Sequence, residues 1–452
     1  MTNYLKDVLI KTINSQILSA VLAIAGMTII VKFLSFFKEI IVAWKFGTGS
    51  DLDAFLIALV IPSFMISVIS GAFNAAFIPI YIRIREKKGI DIAQQFFSEV
   101  TCIGAILLII ASIAIVQAAH WYLPKLIGGF SAEKLKLTLN LLYVLSPVIF
   151  LNGMVIIWGA ILNADKHFRL VALSPSLTAL STIIFVFFMS KLWGIYALTI
   201  GLVVGVFFEF ITLGIAVKSN GFSLRPRWFG NNDYVLQFML QYLVIFLGSL
   251  LMSSTTLIDR AMAAGLDSGS VAALNYGERA IASLSGLGAT ALGTAMIPYF
   301  SQMIACNDWK QIKIILNRYL KMIFIFGLLG TVLIIIMSEP LIQFLFQRGS
   351  FTAENTHLVA KIQSCYALQL PFYLASVIMS RLVSSLLANQ ILAIGTIINV
   401  AVNIGLNFLF IQKIGIAGIA LSTSFVYIIS FAFLFFYWTR VCNKKIAKSQ
   451  KI

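Results

Sequence analysis

A helix must present about 20 consecutive apolar residues to cross the roughly 30 Å hydrocarbon core of a bilayer. This chain presents such runs repeatedly. Seven carry no charge: Ala54 to Ile82, Val100 to Ala119, Leu137 to Ala164, Leu170 to Ser190, Tyr234 to Ile258, Ala280 to Ala305 and Ile414 to Thr439. Three carry isolated charges: Ile17 to Trp44 with Lys32, Lys38 and Glu39, Leu192 to Val217 with Glu209, and Met322 to Phe346 with Glu339. Lys361 to Gln412 is long enough for two helices, with Ala388-Asn389-Gln390 as its most polar break. The reading is an all-α polytopic membrane protein of about twelve transmembrane helices. Composition agrees, since 60% of the 452 residues are hydrophobic and 11% are charged, against about 25% charged in ordinary soluble domains. Disordered, collagen-like and disulfide-scaffold classes are excluded.

The 33 Lys and Arg against 17 Asp and Glu would suggest nucleic-acid binding in a soluble protein. Sorted by alternate loop, however, they mark topology. One side collects Lys6, Lys11, Arg83, Arg85, Lys87, Lys88, Lys166, Arg169, Lys218, Arg225, Arg227, Lys310, Lys313, Arg318, Lys321 and the basic tail from Arg440 to Lys451. The other collects Lys45, Lys125, Lys134, Lys136, Lys191, Arg348 and Lys413. This bias places both termini in the cytoplasm, and no nucleic-acid partner is expected. Lys6 and Lys11 precede an apolar run as in a signal peptide, yet no small-x-small cleavage site ends it. The segment reads as interfacial, leading into the first transmembrane helix. Cys102, Cys306, Cys365 and Cys442 form no Cys-x-x-Cys pair and read as reduced. His120, His167 and His357 have no metal-ligand spacing, so no metal site and no cofactor are expected.

A shift of roughly 220 residues brings local matches into register. Phe130-Ser131-Ala132-Glu133 falls on Phe351-Thr352-Ala353-Glu354, and Ala76-Phe77-Ile78-Pro79 falls on Ala295-Met296-Ile297-Pro298. Tyr143 and Pro147 fall near Tyr366 and Pro371, and Ala197-Leu198-Thr199 falls on Ala420-Leu421-Ser422. The expected organisation is a six-helix bundle over 1–220, a cytoplasmic linker over 221–233, a second six-helix bundle over 234–440 and a basic tail over 441–452. Six helices per half gives both halves one orientation, a parallel repeat with a central V-shaped cavity between them. That is a transporter architecture.

Lys32, Lys38, Arg260, Arg279, Lys361 and Arg381 lie within or at the ends of apolar helices. Such groups cost at least about 2.5 kcal/mol at mid-membrane and usually face a wet cavity. Acidic neighbours accompany them in Lys38-Glu39, Asp259-Arg260 and Glu278-Arg279. Lys32 shares a helix face with Glu39, and Asn275 sits one turn before Arg279. Adjacent residues point about 100° apart, so Glu278 and Arg279 cannot both face one spot: one binds substrate while the other holds a neighbouring helix. Alternatives remain open, since each cation can serve an interhelical ion pair, Lys32, Lys361 and Arg381 can snorkel, and Lys45, Asp51 and Asp53 can cap a loop. More cations than anions favour an anionic substrate, and phosphate oxygens suit guanidinium forks. With no Walker-type phosphate loop, a membrane potential, proton or monovalent-ion gradient is the expected energy source. Glu209 is a lone candidate for ion coupling. Pro62, Pro79, Pro147, Pro298 and Pro371 are expected to bend helices.

Lys38-Glu39-Ile40-Ile41-Val42-Ala43, Phe46-Gly47, Asp53-Ala54-Phe55, Pro62 and Gly71 to Pro79 resemble the opening of the MviN/MurJ lipid II flippases, within the multidrug/oligosaccharidyl-lipid/polysaccharide exporter superfamily. Gly159 to Asn163 with Phe168, Leu274 to Arg279, Ala291 to Thr294 with Pro298, and Leu345 to Thr352 are similar to that family in the same order. The resemblance implies a transporter, not an enzyme, moving an undecaprenyl-diphosphate-linked cell-wall precursor from the inner to the outer leaflet of the bacterial inner membrane by alternating access. It puts Lys38 and Arg279 at basic cavity positions and Asp53 at an acidic position on the second helix. The site expected is Lys38, Arg260 and Arg279 for the diphosphate, with Lys32, Glu39, Asp53, Asn74, Asp259, Asn275 and Glu278 as polar or coupling groups. Membrane lipids are the expected surroundings and a monomer the expected state. The chain departs from the family in having Lys32 and Lys38 where arginines stand, no arginine shortly after Pro62, and twelve expected helices where typical members have fourteen. The alternatives are a flippase for O-antigen or capsule repeat units, a cation or drug antiporter working through Glu39, Asp53, Asp259 and Glu278, and a non-transporting partner of a glycan-polymerising complex.

Overall fold

The computed structural model describes residues 26–127, 130–224, 227, 230, 233–386 and 388–449, and every regular element among them is helical. Helix α1 covers 26–46, followed by α2 (Ser50–Lys88), α3 (Ile90–Leu126), α4 (Ala132–Ala164), α5 (Phe168–Leu173), α6 (Pro175–Trp193) and α7 (Ile195–Ser219). Then come α8 (Asp233–Ala264), α9 (Ser270–Ala305), α10 (Trp309–Phe346), α11 (Ala353–Ala367), α12 (Leu370–Ser385), α13 (Asn389–Ile414) and α14 (Ala417–Ser449). Ten stretches among the described residues are long and apolar enough to span a membrane, with α5 and α6 forming one and α11 and α12 another. The other two expected spans fall on α1 and α9, which are helical. The interfacial segment read at the N-terminus lies outside the described residues.

Helix boundaries follow local chemistry. The break expected at Ala388-Asn389-Gln390 is present, with α12 ending at Ser385 and α13 starting at Asn389. Pro62 and Pro79 stay inside α2 and Pro147 inside α4, whereas Pro371 opens α12 and Pro175 opens α6. A proline has no N–H for the carbonyl four residues earlier, so Pro175 and Pro371 fit a first turn, where that N–H would be unpaired anyway, while each interior proline removes one bond from its helix. Gly194 joins α6 to α7 at φ 53° and ψ −133°, and Gly415 joins α13 to α14 at φ 64° and ψ −142°. Side chains other than hydrogen avoid that region.

The helices group into two compact units. One takes the chain up to Lys45 with 58–124 and 132–250, the other takes 46–57, 125–131 and 251 onward, so α8 contributes to both. The first unit packs around an aromatic ladder on α2, where Phe73, Phe77 and Tyr81 stack at four-residue spacing. Phe96 of α3 stacks on Phe77 at 5.5 Å, and Phe238 of α8 meets both edge-on. Each such pair adds about 0.5–1.5 kcal/mol beyond its buried area. On α7, side chains at Gly201 and Gly205 would collide with Phe185, Thr182 and Thr178 of α6. Small residues at this spacing let two membrane helices touch backbone to backbone. The second unit buries Phe300, Ile312, Leu316, Ile378, Met379, Leu382 and Trp438. Outside the cores, Phe326, Leu329, Leu333 and Ile336 form an exposed apolar stripe along α10, as a lipid-facing surface requires.

Candidate functional site

Within the second unit, α8, α9, α11, α13 and α14 enclose a cavity of about 210 Å³. Its floor is built on Asp259 of α8, 8% exposed. Asn403 and Asn407 of α13, one helical turn apart, donate from Nδ2 to Asp259 Oδ1 at 3.0 and 2.7 Å. Thr423 of α14 donates to Oδ2 at 3.4 Å. Three helices are thereby tied to one carboxylate, as an acidic group in an apolar bundle demands. Asn407 Oδ1 is buried without a hydrogen-bond partner among the described residues, so an oxygen acceptor stays available beside the carboxylate.

Arg260, Asn275 and Glu278 also line this cavity, together with Tyr366, Gln369, Asn399 and Tyr427. Glu278 faces it, while the neighbouring Arg279 is exposed and is not part of its wall, which is the divergence that a 100° turn per residue imposes. The carboxylates and cations around this space among the described residues are thus two acids, Asp259 and Glu278, and one base, Arg260.

The other expected residues sit elsewhere. On α1, Lys38 Nζ pairs with Glu39 Oε1 at 3.0 Å, Glu39 being buried and Lys38 part-exposed, and Lys32 is exposed. Asn74 donates to the carbonyl of Ser70 on its own helix at 3.3 Å. Asp53, 1% exposed, accepts from the backbone N–H of Gly269 at 2.6 Å and of Ala272 at 2.8 Å. It caps the N-terminus of α9 from a distant part of the chain, where unpaired amides and the helix dipole both favour a carboxylate. Thr48, in the turn between α1 and α2, donates to Asn355 Oδ1 at 2.7 Å. The structure brings Arg260, Asp259, Asn275 and Glu278 around one space and gives Asp53 a capping role.

Asn403, Asn407 and Thr423 escaped the sequence reading. Their signal was two asparagines four apart in an apolar run. Another apolar cavity of about 300 Å³, in the first unit, is lined by Met65, Ile69 and Phe73 of α2, by α3 from Val100 to Ala111 and by α8 from Phe238 to Phe246.

A family model described as lipid II flippase MurJ matches residues 42–452, nearly the whole chain. The chain belongs to the lipid II flippase MurJ family. Lipid II flippase MurJ of Thermosipho africanus (strain TCF52B) is 30% identical over 411 residues, covering 90% of this chain and 82% of that one. A solved structure of lipid II flippase MurJ in an inward closed conformation superposes with a TM-score of 0.80 at 27% identity, covering 94% of this chain and 90% of the other. An inward-facing multidrug resistance MATE family transporter of the MOP superfamily gives a TM-score of 0.78 at 13% identity, covering 95% and 99%. That second likeness shows the shared fold alone. Membership bears out the resemblance drawn from Lys38-Glu39 through Thr352, and the protein is a multi-pass membrane protein of this transporter fold.

Proposed function

We propose that this chain is a lipid II flippase, a transporter that moves an undecaprenyl-diphosphate-linked cell-wall precursor from the inner to the outer leaflet of the bacterial inner membrane. The observation that carries the reading is the family match from residue 42 to the end of the chain. The physical task is to carry a charged, sugar-bearing head through hydrocarbon while the polyprenyl tail stays in lipid. An ionised group costs at least about 2.5 kcal/mol at mid-membrane, so the path must be polar, and alternating access lets it be polar without leaking. We assign Lys38, Arg260 and Arg279 to the diphosphate, since ammonium and guanidinium groups match phosphate oxygens. Lys32, Glu39, Asn74, Asn275 and Glu278 give the remaining polarity. The halves 1–220 and 234–440, joined by 221–233 and followed by the tail 441–452, are the bodies that alternate. Both termini lie in the cytoplasm, and the chain works as a monomer.

For coupling, Asp259 is the group we favour. Its carboxylate and the Thr423 hydroxyl are hard oxygens lining one cavity, and Asn407, which donates to the same carboxylate, has a buried carbonyl oxygen that accepts no hydrogen bond among the described residues; such oxygens suit a monovalent cation or a proton. The reading is tested by rescue of a bacterial strain depleted of its own lipid II flippase, scoring lipid II exposed on the outer face. Rescue is expected from the wild-type chain and from Lys448→Ala, and its loss from Arg279→Ala at equal expression. Equal rescue by both variants refutes the diphosphate assignment.

A further inference from the structure

Glu209 of α7, the lone acid of its apolar run, is 6% exposed and lies inside the first unit, away from the cavity around Asp259. Its Oε1 is 2.8 Å from Ser174 Oγ and its Oε2 is 3.0 Å from Thr178 Oγ1. Among the described residues no charged side chain of α4, α5, α6 or α7 pairs with it: Glu133, Lys134, Lys136, Arg169, Lys191 and Lys218 all lie at helix ends. Ser174 stands where α5 gives way to α6, because Pro175 has no N–H to offer the carbonyl of Val171. Ser174 Oγ lies 3.2 Å from that same Val171 carbonyl oxygen.

The hydrogens can be counted. A serine hydroxyl has one proton, and Ser174 faces two acceptors, the Val171 carbonyl and Glu209 Oε1. An ionised Glu209 takes that proton and strands a carbonyl that Pro175 has already deprived of its partner. A protonated Glu209 resolves the conflict: its O–H donates to Ser174 Oγ, Ser174 donates to Val171 O, and Thr178 donates to Oε2. We propose that Glu209 is a proton-binding site that latches α7 onto the α5–α6 break, in the state described here. Release breaks the acid O–H bond, leaves its electron pair on the carboxylate and passes the proton to water entering the seam. Proton loss is therefore linked to parting α6 from α7.

The second unit supports this assignment independently. The numbering shift that takes Gly194 to Gly415 also takes Thr178 to Asn399 and Glu209 to Ser430. Asn399 Nδ2 donates to Ser430 Oγ at 3.3 Å, at the same spacing along the chain as Thr178 and Glu209. The matching seam is held there by neutral groups, which is what a protonated Glu209 imitates. The proton-dependent version belongs to the first unit.

Difference infrared spectroscopy of the purified full-length chain tests the assignment without substrate. The wild type is expected to show a carboxylic-acid carbonyl component that titrates with pH and is absent from Glu209→Gln, with melting temperature preserved, while any component from Asp259 remains in both proteins. Pro175→Ala, which returns an N–H to Val171 O, should weaken the Glu209 component at a given pH. In proteoliposomes carrying lipid II, the wild type should flip with a pH dependence that Glu209→Gln flattens. A spectrum unchanged by Glu209→Gln, or a pH profile shared by both proteins, overturns the proposal. This second assay rests on the flippase reading; wild-type vesicles that flip no lipid II count against that reading, while the infrared result still decides the proton.

Discussion

Asp53 and Asp259 show how differently two buried aspartates can be satisfied. Asp53 meets two backbone amides at the start of α9, so its value is that of a helix cap. Asp53→Ala should cost about 1–2 kcal/mol, seen as a lower melting temperature in detergent, with Asp53→Asn recovering part of it. An unchanged melt for the alanine variant refutes the capping role. Asp259 instead ties side chains of two other helices. Asn407→Leu removes its shortest donor and should destabilise the second unit by about 1–2 kcal/mol, read as a lower melting temperature in detergent. At this scale the sequence showed which residues were out of place in an apolar run, including Asp259, Glu278 and Glu209. It could not show their partners, because Asn403, Asn407 and Thr423 lie more than a hundred residues from Asp259.

At the scale of elements, helix ends were legible where chemistry forces them. Ala388-Asn389-Gln390 reads as a break and is one, because a polar cluster interrupts an otherwise apolar run. Pro175 and Pro371 divide what reads as continuous apolar sequence, and only the fold shows that Pro62 and Pro147 do not. Gly415→Ala should cost about 1–3 kcal/mol, since its dihedrals belong to glycine, and the expected readout is earlier proteolysis at the α13–α14 turn. Gly205→Leu should be worse tolerated than Gly330→Leu in a thermal-stability assay. The first collides with the α6 backbone, whereas nothing lies within 4 Å of a side-chain carbon added at Gly330.

For the molecule as a whole, the lipid-facing surface makes a direct prediction. Leu333→Arg, in the middle of the exposed stripe on α10, should raise the cost of membrane insertion by about 3 kcal/mol, measurable as reduced insertion of the α10 segment. Met337, further along the same helix, is also exposed, and an arginine there lies closer to the helix end at Phe346, so it should cost less because its side chain can snorkel.

By itself the sequence determined that this is a helical membrane protein of transporter type, because hydrocarbon admits few structures and apolar length is counted directly along the chain. It also determined the family, through short motifs from Lys38 to Thr352 whose order is local information. Tertiary structure alone decided which polar residues meet. Glu278 faces the cavity and Arg279 does not, Asp53 caps a helix that begins more than two hundred residues away, and Glu209 finds its hydroxyls at a proline break. Those outcomes depend on helix rotation and packing, and a shift of one residue turns a side chain by about 100°, which hydropathy along the chain does not specify.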